Sequence, residues 1–302
     1  MILRRLWDHD LAWSFRRSPV AVIAALVTLA CVGAALLSPW ISPQDPFDAA
    51  ALDLNQALFP PAWDEEGKKQ YLLGTDNQGR DILSTIMHGA RISLGVGLAS
   101  VVFALILGVS LGLLAGYLGG RVDAVIMRIA DVQLSFPAIL IALLIDGVTR
   151  VALPAEMHDQ IAIPVLILAI GFAGWVQYAR TVRGSTMVEK EKEYVQAARV
   201  IGRRPLAIML DHVLPNVMGP VLVIATIHIA TAIITEATLS FLGVGVPSTR
   251  PSLGTLIRVG QEFLYAGQWW ITLFPGVALV TLVLSVNLLG DWLRDALNPK
   301  LR

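Results

Sequence analysis

Six stretches of this chain, about 20–40, 92–117, 125–148, 161–180, 217–240 and 270–290, come close to the ~20 apolar residues a helix needs to cross a ~30 Å hydrocarbon layer. Lipid supplies no partners for backbone N–H and C=O groups, so each stretch must be helical. The pattern predicts an all-α, polytopic membrane protein with six transmembrane helices. Composition agrees, with 55% of residues hydrophobic against the roughly 45–50% of a soluble domain. The net charge of zero and pI near 7.0 point away from a nucleic-acid partner.

Orientation follows from where the cations fall. With the N-terminus in the cytoplasm, 16 of the 23 lie on that side: Arg4, Arg5, Arg16, Arg17, Arg121, Arg128, Arg180, Arg183, Lys190, Lys192, Arg199, Arg203, Arg204, Arg294, Lys300 and Arg302. Lys68, Lys69, Arg80, Arg91, Arg150, Arg250 and Arg258 fall outside. The positive-inside rule therefore predicts that both termini are cytoplasmic. The basic N-terminal stretch followed by the apolar run 20–37 has the outline of a secretory signal. The run is longer than the ~7–15 apolar residues of such a signal and no clear small-x-small site follows, so it reads as an uncleaved first helix. The lone Cys31 excludes an intrachain disulfide.

Several features inside the spans carry more than one reading. Ser100, Ala104, Gly108, Gly112, Gly116 and Gly120 place a small side chain at every fourth position, a surface on which helix backbones approach closely. It suits packing inside this chain's own bundle and packing against a partner subunit equally well. Arg128 and Asp131, three apart, are spaced to pair on one helix face. Asp146 and Asp291 lie near span ends, where water reaches them. Glu236, in the segment that runs on through Ser240 and Phe241, sits at the outer end of the fifth span. It is a candidate for the translocation path or its outer gate, with a helix-end hydrogen bond as the alternative.

The internal loop, about 181–216, is where function is expected. Tyr194, Ala197, Ala198 and Ile201 recur at i, i+3, i+4 and i+7, forming one apolar face with two alanines at its centre. Gly202 stops that helix, Pro205 starts another, and Pro215 is expected to end it. A small-faced helix of this kind fits a groove in a soluble protein better than a lipid surface, which favours bulkier apolar residues.

The segment Tyr194 to Gly202, with Gln196, Ala197 and Ala198 at its centre and followed after eleven residues by Leu214-Pro215, resembles the EAA loop of binding-protein-dependent ABC importer permeases. Gln196 stands where that family carries a glutamate. Residues 73–84, Leu134-Ser135-Phe136-Pro137, 239–243 and 287–295 resemble further recurring segments in the same order. The likeness is to the C-type permease of dipeptide, oligopeptide and nickel importers. Within it, Gly74 to Asp81 reads as a turn into a short amphipathic helix bearing Ile82, Leu83, Ile86 and Met87, with Asp76 and Asp81 in structural roles.

The resemblance implies a type I ABC importer permease fold in a bacterial cytoplasmic (inner) membrane. An N-terminal part, 1–91, would carry the first helix and an external loop; a five-helix core, 92–302, would carry the EAA loop. It implies a homologous permease as partner, two ABC ATPase subunits, a periplasmic or extracellular substrate-binding protein, surrounding membrane lipid, and di- or oligopeptides as cargo. Glu193, Tyr194, Gln196, Ala197, Ala198, Ile201, Gly202, Leu214 and Pro215 would dock the ATPase. No catalytic, cofactor or metal residues are expected. The sequence holds no Gly-x-x-x-x-Gly-Lys-[Ser/Thr] phosphate loop, so ATP hydrolysis would belong to separate subunits. Two rivals stand beside this reading. A secondary ion-coupled carrier would use Asp146, His228 or Glu236; an intramembrane enzyme would need histidine spacing that His9, His88, His158, His212 and His228 do not provide.

Overall fold

The computed structural model of the chain describes residues 10–48 and 52–297; Arg4, Arg5, Lys300 and Arg302, used above for orientation, lie outside them. A short helix α1 (Asp10–Arg17) leads into the first long one, α2 (Pro19–Ile41). Ser18 starts α2: its hydroxyl accepts from the Ala21 N–H at 3.3 Å, and Pro19 occupies the first helical position, where a missing N–H costs nothing.

The described residues between α2 and the next helix, 42–48 and 52–81, pack against one end of the bundle. Asp76 accepts from the backbone N–H of Gln78 and Arg80 and pairs with the Arg80 guanidinium at 2.6 Å, both side chains nearly inaccessible. Asp81 caps α3 (Ile82–Leu118), accepting from the Ser84 N–H at 2.8 Å. The structural reading of both aspartates holds. The expected short amphipathic helix is not separate: with no proline between Ile82 and Leu118, its hydrogen bonds run unbroken into the second span, giving one helix of 37 residues.

The third apolar stretch differs from expectation. It is two helices, α4 (Gly120–Leu134) and α5 (Ala138–Ala152), bent by 92° at the intervening residues. Pro137 has no N–H to continue α4 and disfavours helical backbone at the residue before it. Its own backbone is extended (φ −56°, ψ 134°) before α5 begins. At 15 residues each, about 22 Å, neither helix alone covers the ~30 Å core.

The remaining elements are α6 (His158–Glu189), the loop helix α7 (Glu193–Val200), α8 (Pro205–Ile208), a π-helical turn Met209–Val213, α9 (Leu214–Phe241), α10 (Leu253–Leu264) and α11 (Trp270–Leu297). Pro215 does not end a helix, as had been expected. It occupies the first turn of α9, and the π turn lets the chain pass through it, so Pro205–Phe241 forms one long apolar rod. Among the described residues five helices are long and apolar enough to cross a membrane, and the bent pair is the sixth candidate.

The small-residue row resolves in favour of this chain's own bundle. A Cβ on Gly108, Gly112 or Gly116 would lie 2.4–2.7 Å from the carbonyl oxygens of Trp175, Ala179 and Arg183 on α6. The two backbones touch along the α3–α6 seam, and only glycine permits that approach. Gly120, the last member of the row, lies in open space beyond the seam.

Candidate functional site

The loop between α6 and α9 is built from local rules. Lys192 has extended backbone and α7 begins behind it. After Val200 the chain turns left-handed at Gly202 (φ +77°); the Arg203 N–H bonds to the Ala198 carbonyl at 3.1 Å and the Gly202 N–H to Arg199 at 3.0 Å. This is the Schellman arrangement, and it satisfies the carbonyls left open at a helix end. Arg204 is then extended and Pro205 opens α8.

Tertiary contacts hold the loop rigidly against the bundle. Val195 and Ala198 are buried with Ala104, Tyr178, Val182, Ile208 and Val213 in one apolar cluster, with Leu214 packed against it. The Tyr194 hydroxyl donates to the Glu189 carboxylate and accepts from Asn216 Nδ2 at 3.0 Å. Partial burial, then that carboxylate, push the Tyr194 phenol up to about 12, so it stays a donor. Lys192 meets Glu189 at 2.9 Å, Arg203 meets Asp211 at 3.2 Å, and Gln196 Nε2 donates to the Lys190 carbonyl at 3.3 Å.

The face presented outward keeps Tyr194, Ala197 and Ile201 of the one drawn from the sequence and departs from it at Ala198. Ala198 is only 4% exposed because, with Val195 one turn away, it anchors α7 to the core. Ile201 is 76% exposed, and Val200, absent from the predicted stripe, is 88% exposed. Ala197, Gly202, Leu206, Glu193 and Pro215 are exposed as well, while Gln196 and Leu214 are half-buried. The apolar pair Val195/Ala198, spaced i, i+3, was the available signal for the inward face. Nothing in the spacing alone chooses between it and the 194/197/198/201 stripe.

At the same end of the bundle, Arg183 pairs with Asp123 through two hydrogen bonds, one at 2.6 Å, and Lys190 Nζ donates to the Gly116 carbonyl at 2.9 Å. Asp131 pairs with Arg180 at 2.6 Å and not with Arg128, because α6 brings a guanidinium across to α4.

At the opposite end of the bundle, Glu236 has no exposed surface; it accepts from the hydroxyls of Ser93 at 2.6 Å and Ser240 at 2.7 Å. Ser93 Oγ also accepts from the Leu253 N–H at 3.3 Å. The carboxylate thus joins α3, α9 and the start of α10 and lines no opening in this chain. Ser240 is buried with it, while Phe241 is partly exposed at the end of α9.

Comparison with known proteins places this geometry. Residues 108–302 match the family described as binding-protein-dependent transport system inner membrane component, and residues 5–61 match the N-terminal TM domain of oligopeptide transport permease C. The chain is similar to the di/tripeptide transport system permease protein DppC of Pseudomonas aeruginosa, 39% identical over 99% of this chain and 93% of that protein. It is also similar to the oligopeptide permease OppC of Bacillus subtilis, 36% identical over 98% of this chain and 90% of that one. Among solved structures it is similar to a chain of the MetNI methionine ABC transporter in an inward-facing conformation. That match has a TM-score of 0.54 and 22% identity over 71% of this chain and 96% of that one. The shared fold is that of a type I ABC importer permease.

Proposed function

The chain belongs to the binding-protein-dependent transport system inner membrane components, in their oligopeptide permease C branch, and from that premise we propose that it forms half of the path through which an ABC importer carries di- or oligopeptides. A homologous permease supplies the other half and a soluble binding protein delivers the cargo from outside. Two ATPase subunits bind and hydrolyse ATP. Both termini lie in the cytoplasm. The protein is a non-catalytic permease, and its own task is to convert movement of the ATPases into rearrangement of its helices.

The observation that carries this reading is the exposed apolar tip Ala197, Val200, Ile201 and Leu206 on a loop otherwise fastened by Val195, Ala198, Tyr194 and Arg203. An exposed apolar cluster on a charged, fastened base fits a cleft in a partner protein. Its attachment makes it a lever: force on Ile201 passes through Val195 and Ala198 to α3, α6 and α9 without being absorbed by loop motion. At the outer end, Phe241 is the exposed member of the gate segment, with Glu236, Ser93 and Ser240 bracing the helix end behind it.

The test is a cysteine at Ile201 in the assembled transporter. It should crosslink to an ATPase subunit, and Ile201→Asp should lower ATP-dependent peptide uptake at least tenfold while assembly of the permease pair is kept. Crosslinks to lipid alone, or normal uptake by Ile201→Asp, would show that the loop does not dock in this way.

A further inference from the structure

The largest cavity described, about 560 Å³, lies between α2, α3, α9 and α11, away from the loop and from Glu236. Its walls are apolar, among them Val32, Leu94, Leu98, Ile229 and Val286. Leu36 and Leu98 at its rim are exposed, and Gly95 opens onto it with no atom within 4 Å of where a Cβ would stand. Apolar cavities of this kind do not hold water. A gap between membrane helices that opens on the bilayer side is filled by hydrocarbon.

The one charged residue among its lining residues is Arg91. Its side chain is exposed and has no hydrogen-bond or ion-pair partner among the described residues. Its depth can be read from the neighbouring turn. Ser42, which ends α2, lies 3.2 Å from His88 Nε2, so His88 is level with the edge of the hydrocarbon. The Arg91 backbone is three residues on, about 4.5 Å deeper along α3, and its long side chain, leaning toward the helix N-terminus, reaches back to headgroup level. From there the cavity follows α2 from Leu36 to Thr28, about 12 Å, and continues along α9 and α11 to Thr226, Gly290 and Leu293, long enough to take a whole acyl chain.

We infer that this cavity is a phospholipid site: one acyl chain lies between α2 and the bundle, and Arg91 holds the phosphate of the same lipid. A guanidinium at the mouth of an apolar slot matches that ligand in kind, charge to phosphate and hydrocarbon to hydrocarbon. The lipid comes from the leaflet next to the 42–81 segment. It fastens α2, which buries little of itself against the rest of the chain, to α3 and α11.

The test uses the complete transporter, delipidated in detergent and offered phosphatidylglycerol, with bound lipid counted by native mass spectrometry. Wild type and Arg91→Lys should retain a lipid that Arg91→Gln and Gly95→Phe, which fills the slot, lose at least tenfold. A photo-crosslinker placed at Gly95 should label lipid. Equal retention in wild type and Arg91→Gln overturns the inference. So does labelling of another polypeptide from position 95, an outcome that stands even if Gly95→Phe fails to assemble.

Discussion

The α3–α6 seam and the loop helix α7 are both built on small side chains, and they use them in opposite ways. Along the seam, glycines bring two backbones into contact inside one chain, and nothing is left over for a partner. On α7 the two adjacent alanines separate: Ala198 is buried in the core while Ala197 turns outward beside Val200 and Ile201. The seam gives a stiff spine, and the loop gives a fastened base with an open tip. A lever needs both, since a tip that moves on a soft base transmits nothing.

This contrast can be broken at four points, ordered by the stability each should cost. Gly112→Leu forces a side chain against the Ala179 backbone and should cost about 3 kcal/mol or more, seen as loss of folded, extractable protein. Ala198→Asp places a carboxylate in the apolar cluster and should cost about 2–3 kcal/mol, read as faster hydrogen exchange across α7 with the spine unchanged. Tyr194→Phe removes the bonds to Glu189 and Asn216 and should cost about 1 kcal/mol, measured as a lower Tm of the complex. Because the folded Tyr194 phenol is raised from 10.0 to about 12, its contribution is fully present below pH 10 and lost only as pH rises through 12. The Tyr194→Phe effect should therefore be the same at pH 6 and pH 8. Ile201→Asp, at an exposed position, should change stability by less than about 0.5 kcal/mol and yet lower uptake most sharply among the loop changes. If Ile201→Asp destabilised the protein as much as Ala198→Asp, the division between base and tip would be wrong.

Membrane residence, the helical class and the turn of the internal loop were legible in the chain, because each rests on a local pattern. Run length against bilayer thickness predicted the spans. Gly202 and Pro205 marked the turn of the loop through backbone rules that need no neighbours. The third span misled because hydropathy counts apolar residues and ignores the missing N–H of Pro137, which bends α4 from α5 by 92°. Pro215 misled in the other direction, since the π turn before it lets the helix continue.

What only the tertiary structure decided is which side of each pattern is inside. Periodicity shows that a helix has an apolar face and does not show what that face meets; Ala197 and Ala198 are indistinguishable in sequence and differ in burial. Asp131 chose Arg180 over Arg128 for the same reason, because a partner 49 residues away is brought near by packing and not by spacing. Residue order sets the local conformation and the solvent, while the choice of partners waits for the helices to pack.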